Sequence, residues 1–166
     1  MNKEKQLALD KRYLRMAKIW AENSYAIKRQ VGCLIVKDNS IISDGYNGTP
    51  SGFENVCETV KCYALCIFNS PYNLHRCREC GFGELVTKPY VLHAEANAIS
   101  KLARSSNSSV GATLYVTDEP CLECSKMIIQ AGIRRVVFWR DYHDHSGKEL
   151  LIKANIEVLQ IINIDE

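Results

Sequence analysis

The chain has 166 residues, enough for one domain with its own apolar core, and its hydrophobic and charged fractions of 46% and 24% are typical of globular proteins. A net charge of +2 does not predict a nucleic-acid partner, and no apolar run approaches the roughly 18 residues of a membrane span. The charged amino-terminal stretch MNKEKQLALDKRY has no signal-peptide core, so we expect a cytoplasmic protein without a membrane partner. Thiols stay reduced in that compartment, and the eight cysteines therefore favour metal binding over disulfides.

Apolar periodicity predicts alternating helices and strands. Helical spacing of apolar residues predicts a helix over residues 5–23, and VGCLIVKDNSIISDGYNG predicts two strands joined by the turn KDNS. Residues 57–90 hold most of the cysteines and little periodicity, so we expect an insertion within a single domain of residues 1–166. The remaining elements are, in order, HAEANAISKLA (helix), GATLYVTDE (strand), PCLECSKMIIQA (helix), RRVVFW (strand), GKELLIKAN (helix) and IEVLQII (strand). This order predicts an α/β fold with helices on both faces of a sheet.

Two predicted helix starts carry the residues with metal-binding chemistry. Cys121 and Cys124 are three residues apart, on one face of one helical turn, where two thiolates can hold one metal ion. If the two helices lie side by side, His93 supplies a third ligand and leaves one tetrahedral position open, which is the catalytic arrangement for zinc. Glu95 lies only two residues after His93, and we expect its carboxylate to carry protons beside the metal rather than to bind it.

The pattern His-x-Glu followed by Pro-Cys-x-x-Cys resembles the signature of zinc deaminases that act on nucleobases. The chain is thereby identified as a member of the cytidine and deoxycytidylate deaminase superfamily. The resemblance implies the three-layer α-β-α fold of that superfamily, with a central mixed sheet of about five strands. It also implies Glu95 as the catalytic proton carrier and His93, Cys121 and Cys124 as the zinc ligands. The alternative is a structural Cys-x-x-Cys zinc clip with an unrelated histidine.

Four stretches are similar to the deoxycytidylate group of this superfamily: GYNGTPSG, HAEANAI, YVTDEPCLEC and MIIQAGIRRVVFWRDYHD. The resemblance covers the chain from about residue 10 to the end, except residues 57–90. It implies hydrolysis of dCMP to dUMP and ammonia, which supplies dUMP for dTMP synthesis. It further implies substrate contacts from Asn47, Arg29, Ala94 and Tyr142, with Arg29 near the 5′-phosphate. For Arg29 and Tyr142, the alternatives are a solvated arginine and a tyrosine packed at a strand end.

The same resemblance implies regulation and assembly. Members of the deoxycytidylate group respond to dCTP and dTTP, with magnesium as a possible companion of the nucleotide, and form hexamers. The effector contacts that carry over to this sequence are Gly45, Tyr46, Asn47, Gly48 and Arg104.

A second group of cysteines lies in the insertion. CREC at residues 77–80 has zinc-knuckle spacing, and the ligand set Cys57, Cys62, Cys77 and Cys80 would form a closed structural zinc site. Cys66 or His75 could replace one of these ligands. The alternative is a set of buried thiols, since free cysteine packs as a small hydrophobic residue. Cys33 is expected in the core, and His143 and His145 at the surface without a partner.

Two other functions remain open from the sequence. A tRNA adenosine deaminase shares the zinc motif, although it would need a basic, exposed face for RNA. A non-catalytic zinc module that binds nucleotides or a partner protein would leave Glu95 without a role. Metal stoichiometry together with a turnover assay separates these functions.

Overall fold

The computed structural model describes residues 2–61, the strand at 74–75 and residues 83–165. The helices are α1 (Lys3–Ala21), α2 (Ala94–Leu102), α3 (Leu122–Gln130) and α4 (Ser146–Lys153). The strands are β1 (Gly32–Lys37), β2 (Ser40–Tyr46), β3 (Glu58–Lys61), β4 (Leu74–His75), β5 (Gly83–Thr87), β6 (Thr113–Asp118), β7 (Arg135–Arg140) and β8 (Glu157–Gln160). Among these residues, no helix combines the length and the apolar character needed to traverse a bilayer.

The main sheet has five strands in the order β2-β1-β6-β7-β8. β1 pairs antiparallel with both β2 and β6, whereas β6, β7 and β8 run parallel to one another. Helices α3 and α4 are the crossovers between the parallel strands, as a parallel pair requires. The predicted α/β fold with a mixed five-stranded sheet is therefore confirmed.

Helices cover both faces of this sheet. On one face, Leu14 and Ala17 of α1 pack in a cluster with Tyr115 of β6. On the other face, residues of α2, α3 and α4 pack in a second cluster with Leu114 and Val116 of β6. Successive β6 residues thus alternate between the two clusters, as the two-residue period of a strand requires. The three layers bring the amino-terminal ends of α2 and α3 to the same side of the sheet.

Close packing fixes α2 against β2. A Cβ atom at Gly45 would collide with the carbonyl oxygen of Ala94 and lie 2.6 Å from the nitrogen of Ala98. No side chain fits between these backbones, so the start of α2 rests directly on β2. This contact sets the position of the residues just before and after Ala94.

Part of the insertion departs from the expected irregular structure. β3, β5 and β4 form a separate antiparallel sheet in that order. Backbone pairing along β3 and β5 joins Glu58 to Thr87, and the N–H of Lys88 donates to the carbonyl of Cys57 at 2.9 Å. The sequence prediction missed these strands because each is too short to show a two-residue hydrophobic period.

A buried ion pair fixes α1 to the sheet at the start of β7. Asp10, only 1% exposed, accepts two hydrogen bonds from the guanidinium of Arg135, both at 2.8 Å, and one from the hydroxyl of Tyr115 at 2.7 Å. Burial alone raises the pKa of Asp10, but the hydrogen bonds from Arg135, Tyr115 and Gln6 outweigh burial, and the pKa lies below its usual value. The folded state therefore favours the charged carboxylate.

Replacing this carboxylate should destabilise the fold. Asp10→Asn removes the buried negative charge beside Arg135 and leaves this mostly buried cation only its exposed partner Glu157, so we expect the free energy of unfolding to fall by about 3 kcal/mol. Because the pKa of Asp10 is lowered on folding, its contribution is present above the unfolded pKa and is lost as pH falls through the folded pKa. Urea unfolding at neutral and acidic pH measures both effects.

A control variant removes the other carboxylate that contacts Arg135. Glu157 is exposed, and its Oε1 accepts from Arg135 Nε at 2.9 Å. Glu157→Gln should change the free energy of unfolding by less than about 1 kcal/mol. Equal losses in Asp10→Asn and Glu157→Gln would contradict the importance of the buried pair.

Candidate active site

The starts of α2 and α3 bring three ligand atoms together. His93 and Cys121 are the N-cap residues of these helices, both with extended backbones, and neither side chain caps its own helix. Nδ1 of His93 lies 3.5 Å from Sγ of Cys121 and 3.4 Å from Sγ of Cys124. Because His93 precedes the helix and Glu95 lies in its first turn, their side chains need not diverge as two residues along one helix would. The predicted convergence of the two helix starts is observed.

This cluster has the composition and spacing for one metal ion. The three ligand atoms all lie within 4.8 Å of one another, and no second such group occurs in the ranges 2–61 and 83–165. Two thiolates and one imidazole form a donor set that suits zinc, and three protein ligands are the number found in catalytic rather than structural zinc sites. The residues present therefore fit a zinc ion.

The two cysteine thiols differ in pKa. A hydrogen bond from Cys124, together with His93, lowers the pKa of Cys121 to about 3. The reciprocal hydrogen bond and burial raise the pKa of Cys124. A second negative charge beside the first is unfavourable unless a cation compensates it. The cluster thus holds one thiolate readily and would hold two around a dication.

Glu95 lies inside the site, only 4% exposed. Burial raises the pKa of its carboxyl to about 7. A carboxyl group with a pKa near neutrality can both accept and return a proton at physiological pH. This property suits the proton-carrying role expected for Glu95.

A cleft of about 220 Å³ opens beside these residues. Its walls include His93, Glu95 and Cys121, and also all four residues expected to contact substrate: Asn47, Arg29, Ala94 and Tyr142. The structure thus brings these four residues together in one cavity, although they are spread over more than half of the chain. Their contacts with a substrate remain predictions.

Asn47 uses both polar atoms of its side chain within the protein. Its Oδ1 accepts from the N–H of Val31 at 2.8 Å, and its Nδ2 donates to the carbonyl of Arg29 at 2.9 Å. Asn47 consequently holds the backbone of the segment that carries Arg29. Any contact with substrate would be additional to these two hydrogen bonds.

Arg29 is anchored by a buried carboxylate. Its Nε lies 2.5 Å from Oδ2 of Asp118, while the guanidinium of Arg140 lies 2.6 Å from the other oxygen. Burial raises the pKa of Asp118 despite these two cations. The side chain of Arg29 is still 43% exposed and has further N–H groups for an anion in the cleft. Arg29 is therefore held by an ion pair and is not merely solvated.

Apart from Asn47, which lines the cleft, the residues expected to bind an effector lie outside the cleft walls. Gly45 is buried beneath α2, and Arg104 is exposed beyond the end of that helix. Gly48 exchanges two backbone hydrogen bonds with Leu92, at 2.9 and 3.1 Å. The carbonyl of Tyr46 accepts from Nδ2 of Asn97 at 2.7 Å. These contacts join the segment 45–48 to the helix of Glu95, and effector binding there remains a prediction.

Besides Asp118, two further buried carboxylates of the cleft were not anticipated from the sequence. Glu58, 5% exposed, accepts from the backbone N–H groups of Ile27 and Lys28 at 3.2 to 3.3 Å. Glu119, 2% exposed, has both oxygens 3.0 Å from Nδ1 of His145. The only sequence signal for Glu119 was its position two residues before Cys121, and Glu58 had none.

His145 therefore has a partner, contrary to the expectation from the sequence. The carboxylate of Glu119 raises the pKa of His145 by stabilising its charged form. His143 is exposed as expected and its ring packs against Tyr142, with 4.1 Å between ring centroids.

The predicted structural zinc site falls mostly outside the described residues. Cys57 is described and is buried, whereas Cys62, Cys66, Cys77 and Cys80 are among the residues that are not described. The side chain of His75 is likewise not described. Cys33 lies in the core, as expected.

Three-layer α/β domains that bring an imidazole, two thiols and a buried carboxyl together at paired helix starts are typical of the deaminases that bind zinc. Residues 7–140 match the family described as the cytidine and deoxycytidylate deaminase zinc-binding region. The chain belongs to this family.

Individual relatives refine the comparison. The chain is 36% identical to deoxycytidylate deaminase of Saccharomyces cerevisiae over 99% of its own length and 50% of that protein, so it spans half of this relative. It is 33% identical to deoxycytidylate deaminase of Enterobacteria phage T4, over 89% of this chain and 87% of the phage protein. The crystal structure of dCMP deaminase from cyanophage S-TIM5, in complex with dCMP and dUMP, superimposes with a TM-score of 0.75 at 36% identity, covering 97% and 99% of the two chains.

Proposed function

We propose that this chain is a zinc-dependent deaminase that hydrolyses dCMP to dUMP and ammonia and so supplies dUMP for dTMP synthesis in the cytoplasm. The observation that carries the proposal is the cleft, which joins the His93, Cys121 and Cys124 cluster to Glu95 and to Arg29. The similarity to the S-TIM5 enzyme, determined with dCMP and dUMP, supports the choice of substrate.

His93, Cys121 and Cys124 would hold the zinc ion. The chemistry that zinc supplies in such a site is Lewis-acid activation of water. Glu95 takes one proton from this water and delivers it to N3 of the cytosine ring while the water oxygen bonds to C4. Glu95 then carries the second proton to the exocyclic amino group, the C4–N bond breaks, and ammonia leaves. A carboxyl with a pKa of about 7 suits both transfers.

Basic groups that line the cleft would recognise the 5′-phosphate. Lys28 and Arg29 both line the cleft, and Asn47 and Glu58 hold the backbone that carries them. An arginine contact with a phosphate is a charge-assisted hydrogen bond that the nucleoside cannot make. The site should therefore prefer the nucleotide over deoxycytidine.

Regulation by dCTP and dTTP, with Mg²⁺, belongs to the same proposal, as do the hexameric assembly and a second, structural zinc ion. The hydrogen bond from Asn97 to the Tyr46 carbonyl supports a regulatory role for the segment 45–48, because Asn97 is only two residues from Glu95. An effector that moves this segment would act on the catalytic helix.

The experiment that tests the proposed function compares dCMP, deoxycytidine and an adenosine-containing tRNA anticodon stem as substrates of the zinc-loaded protein, with and without dCTP and Mg²⁺. We expect turnover of dCMP, far less of deoxycytidine, and none of the tRNA. Equal turnover of dCMP and deoxycytidine would refute phosphate recognition. Zinc binding without turnover of any substrate would favour a binding module.

Removing the Glu58 carboxylate should weaken phosphate recognition. Glu58→Ala leaves the N–H groups of Ile27 and Lys28 without their acceptor and frees the segment that carries Arg29. We expect KM for dCMP to rise roughly 10-fold, equivalent to about 1.4 kcal/mol and similar to the loss of one or two hydrogen bonds, while kcat changes little. Steady-state kinetics on dCMP and deoxycytidine measure this effect.

Glu54→Ala is the matched control, because Glu54 is an exposed carboxylate four residues before Glu58. It should leave KM for dCMP unchanged. A Glu58→Ala variant whose KM rises equally for dCMP and deoxycytidine would contradict a role in phosphate recognition.

A further inference from the structure

Helix α4 begins directly against the turn that carries Cys121. A Cβ atom at Gly147 would collide with the carbonyl oxygen of Pro120 and lie 2.7 Å from the carbonyl carbon of Cys121. The backbones of the two segments therefore touch without an intervening side chain. Any displacement of the first turn of α4 would be passed to the Cys121 turn, because neither segment has space to absorb it.

His145 bridges the same two segments through its side chain. It is the N-cap of α4, and its Nδ1 lies 3.0 Å from each carboxylate oxygen of Glu119. The side chain of Glu119 is fully buried, whereas that of His145 is 55% exposed. The N–H of Glu119 also donates to the carbonyl of Arg140 at 2.8 Å, which fixes its backbone to the end of β7. A surface imidazole is thus attached to a rigid, buried carboxylate two residues before a metal-binding thiol.

The segment between β7 and α4 carries Tyr142, which lines the cleft. One end of this segment continues from β7, and the other end is fixed where His145 contacts Glu119. Tyr142 lies three residues before His145. The position of the Tyr142 ring at the cleft consequently depends on the contact between His145 and Glu119, and so does the position of the Cys121 turn.

We propose that the His145–Glu119 pair is a latch that holds both the Cys121 turn and the Tyr142 segment in their working positions. His145 is then a positioning residue that touches neither metal nor substrate. The substrate part of this inference rests on the proposed function, whereas the metal part does not. Glu119 immediately precedes the Pro-Cys-x-x-Cys stretch, whereas His145 lies well outside it.

Three variants of the zinc-loaded protein test the latch. His145→Ala removes the hydrogen bond, His145→Asn retains an N–H donor close to the position of Nδ1, and Lys153→Ala alters an exposed residue at the far end of α4. The measurements are the rate of zinc release into excess chelator, and KM and kcat for dCMP.

We expect His145→Ala to release zinc roughly 10-fold faster. A roughly 10-fold change is the lower end of what is lost when a residue that orients a metal ligand is removed. KM for dCMP should rise roughly fivefold through displacement of Tyr142, with a smaller change in kcat. His145→Asn should restore most of both values, and Lys153→Ala should match the parent. Rescue by asparagine distinguishes positioning from a general loss of stability.

Parent-like zinc release and KM in His145→Ala would overturn the latch, and so would a His145→Asn variant that behaves like His145→Ala. If His145→Ala does not fold, Glu119→Gln, which keeps the shape and an acceptor oxygen but loses the charge, takes its place with faster zinc release as the expected result. If the parent does not deaminate dCMP, the proposed function fails while the zinc-release measurement still decides the latch.

Discussion

Replacing Glu95 by glutamine should lower kcat for dCMP by about 10³-fold while zinc stays bound, because the variant loses the proton carrier and keeps every metal ligand. Glutamine has nearly the same shape as glutamate, so the packing at the start of α2 should be unaffected. Glu95→Ala should abolish turnover in the same way. The measurements are steady-state deamination at neutral pH and zinc content by atomic absorption on the same preparation.

Glu123→Gln is the matched control for this prediction. Glu123 also lies in the first turn of a helix whose N-cap is a cluster residue, but its side chain is 75% exposed and pairs with Lys126. Its kcat and zinc content should equal those of the parent. The proton-carrier role would be refuted by a Glu95→Gln variant that retains more than about a tenth of the parent kcat with zinc bound.

The metal cluster could be predicted from the sequence because its chemistry is local. Cys121 and Cys124 share one helical turn, and His93 begins the neighbouring helix in the layer. Only one long-range assumption was needed, that the two helix starts meet. The alternation of helices and strands did not decide that arrangement, because it predicts helices on both faces of a sheet without indicating which helices share a face.

The unpredicted residues depend on pairings between distant parts of the chain. Glu58 contacts Lys28 from a short sheet inside the insertion, and Glu119 contacts His145 across α3 and β7. Neither carboxylate stands in a periodic pattern or a metal-binding spacing. A sequence shows that such a residue is charged, but its burial and partner follow only from the folded chain.

Asn47 shows a different limit. The family resemblance implies a substrate contact for Asn47, which lines the cleft, yet both ends of its amide bind the backbone of Arg29 and Val31. The sequence alone could not separate a residue that contacts substrate from one that orients a neighbouring substrate contact. The sequence also could not show that Asp10 and Arg135 form a stabilising buried pair, because 125 residues separate them.

Removal of a single cluster ligand should abolish zinc retention. In His93→Ala or Cys121→Ser, we expect zinc affinity to fall roughly 10³-fold, since three ligands share a binding free energy of the order of 10 kcal/mol. Turnover should be lost with the metal, in contrast to Glu95→Gln, which keeps it. Chelator competition followed by equilibrium dialysis against Zn²⁺ measures the affinity.

Ser125→Ala provides the control for ligand removal within the same helix. Ser125 follows Cys124, is fully buried, and among the residues that the structure describes its hydroxyl has no hydrogen-bond partner. Removing an unpaired buried hydroxyl should leave zinc affinity unchanged and keep or raise the melting temperature. Zinc affinity that falls equally in Ser125→Ala and Cys121→Ser would mean that the variants disturb α3 as a whole. Parent-like affinity in both His93→Ala and Cys121→Ser would show that the metal is held elsewhere in the chain. Each variant keeps only two cluster ligands, whereas a catalytic zinc site needs three.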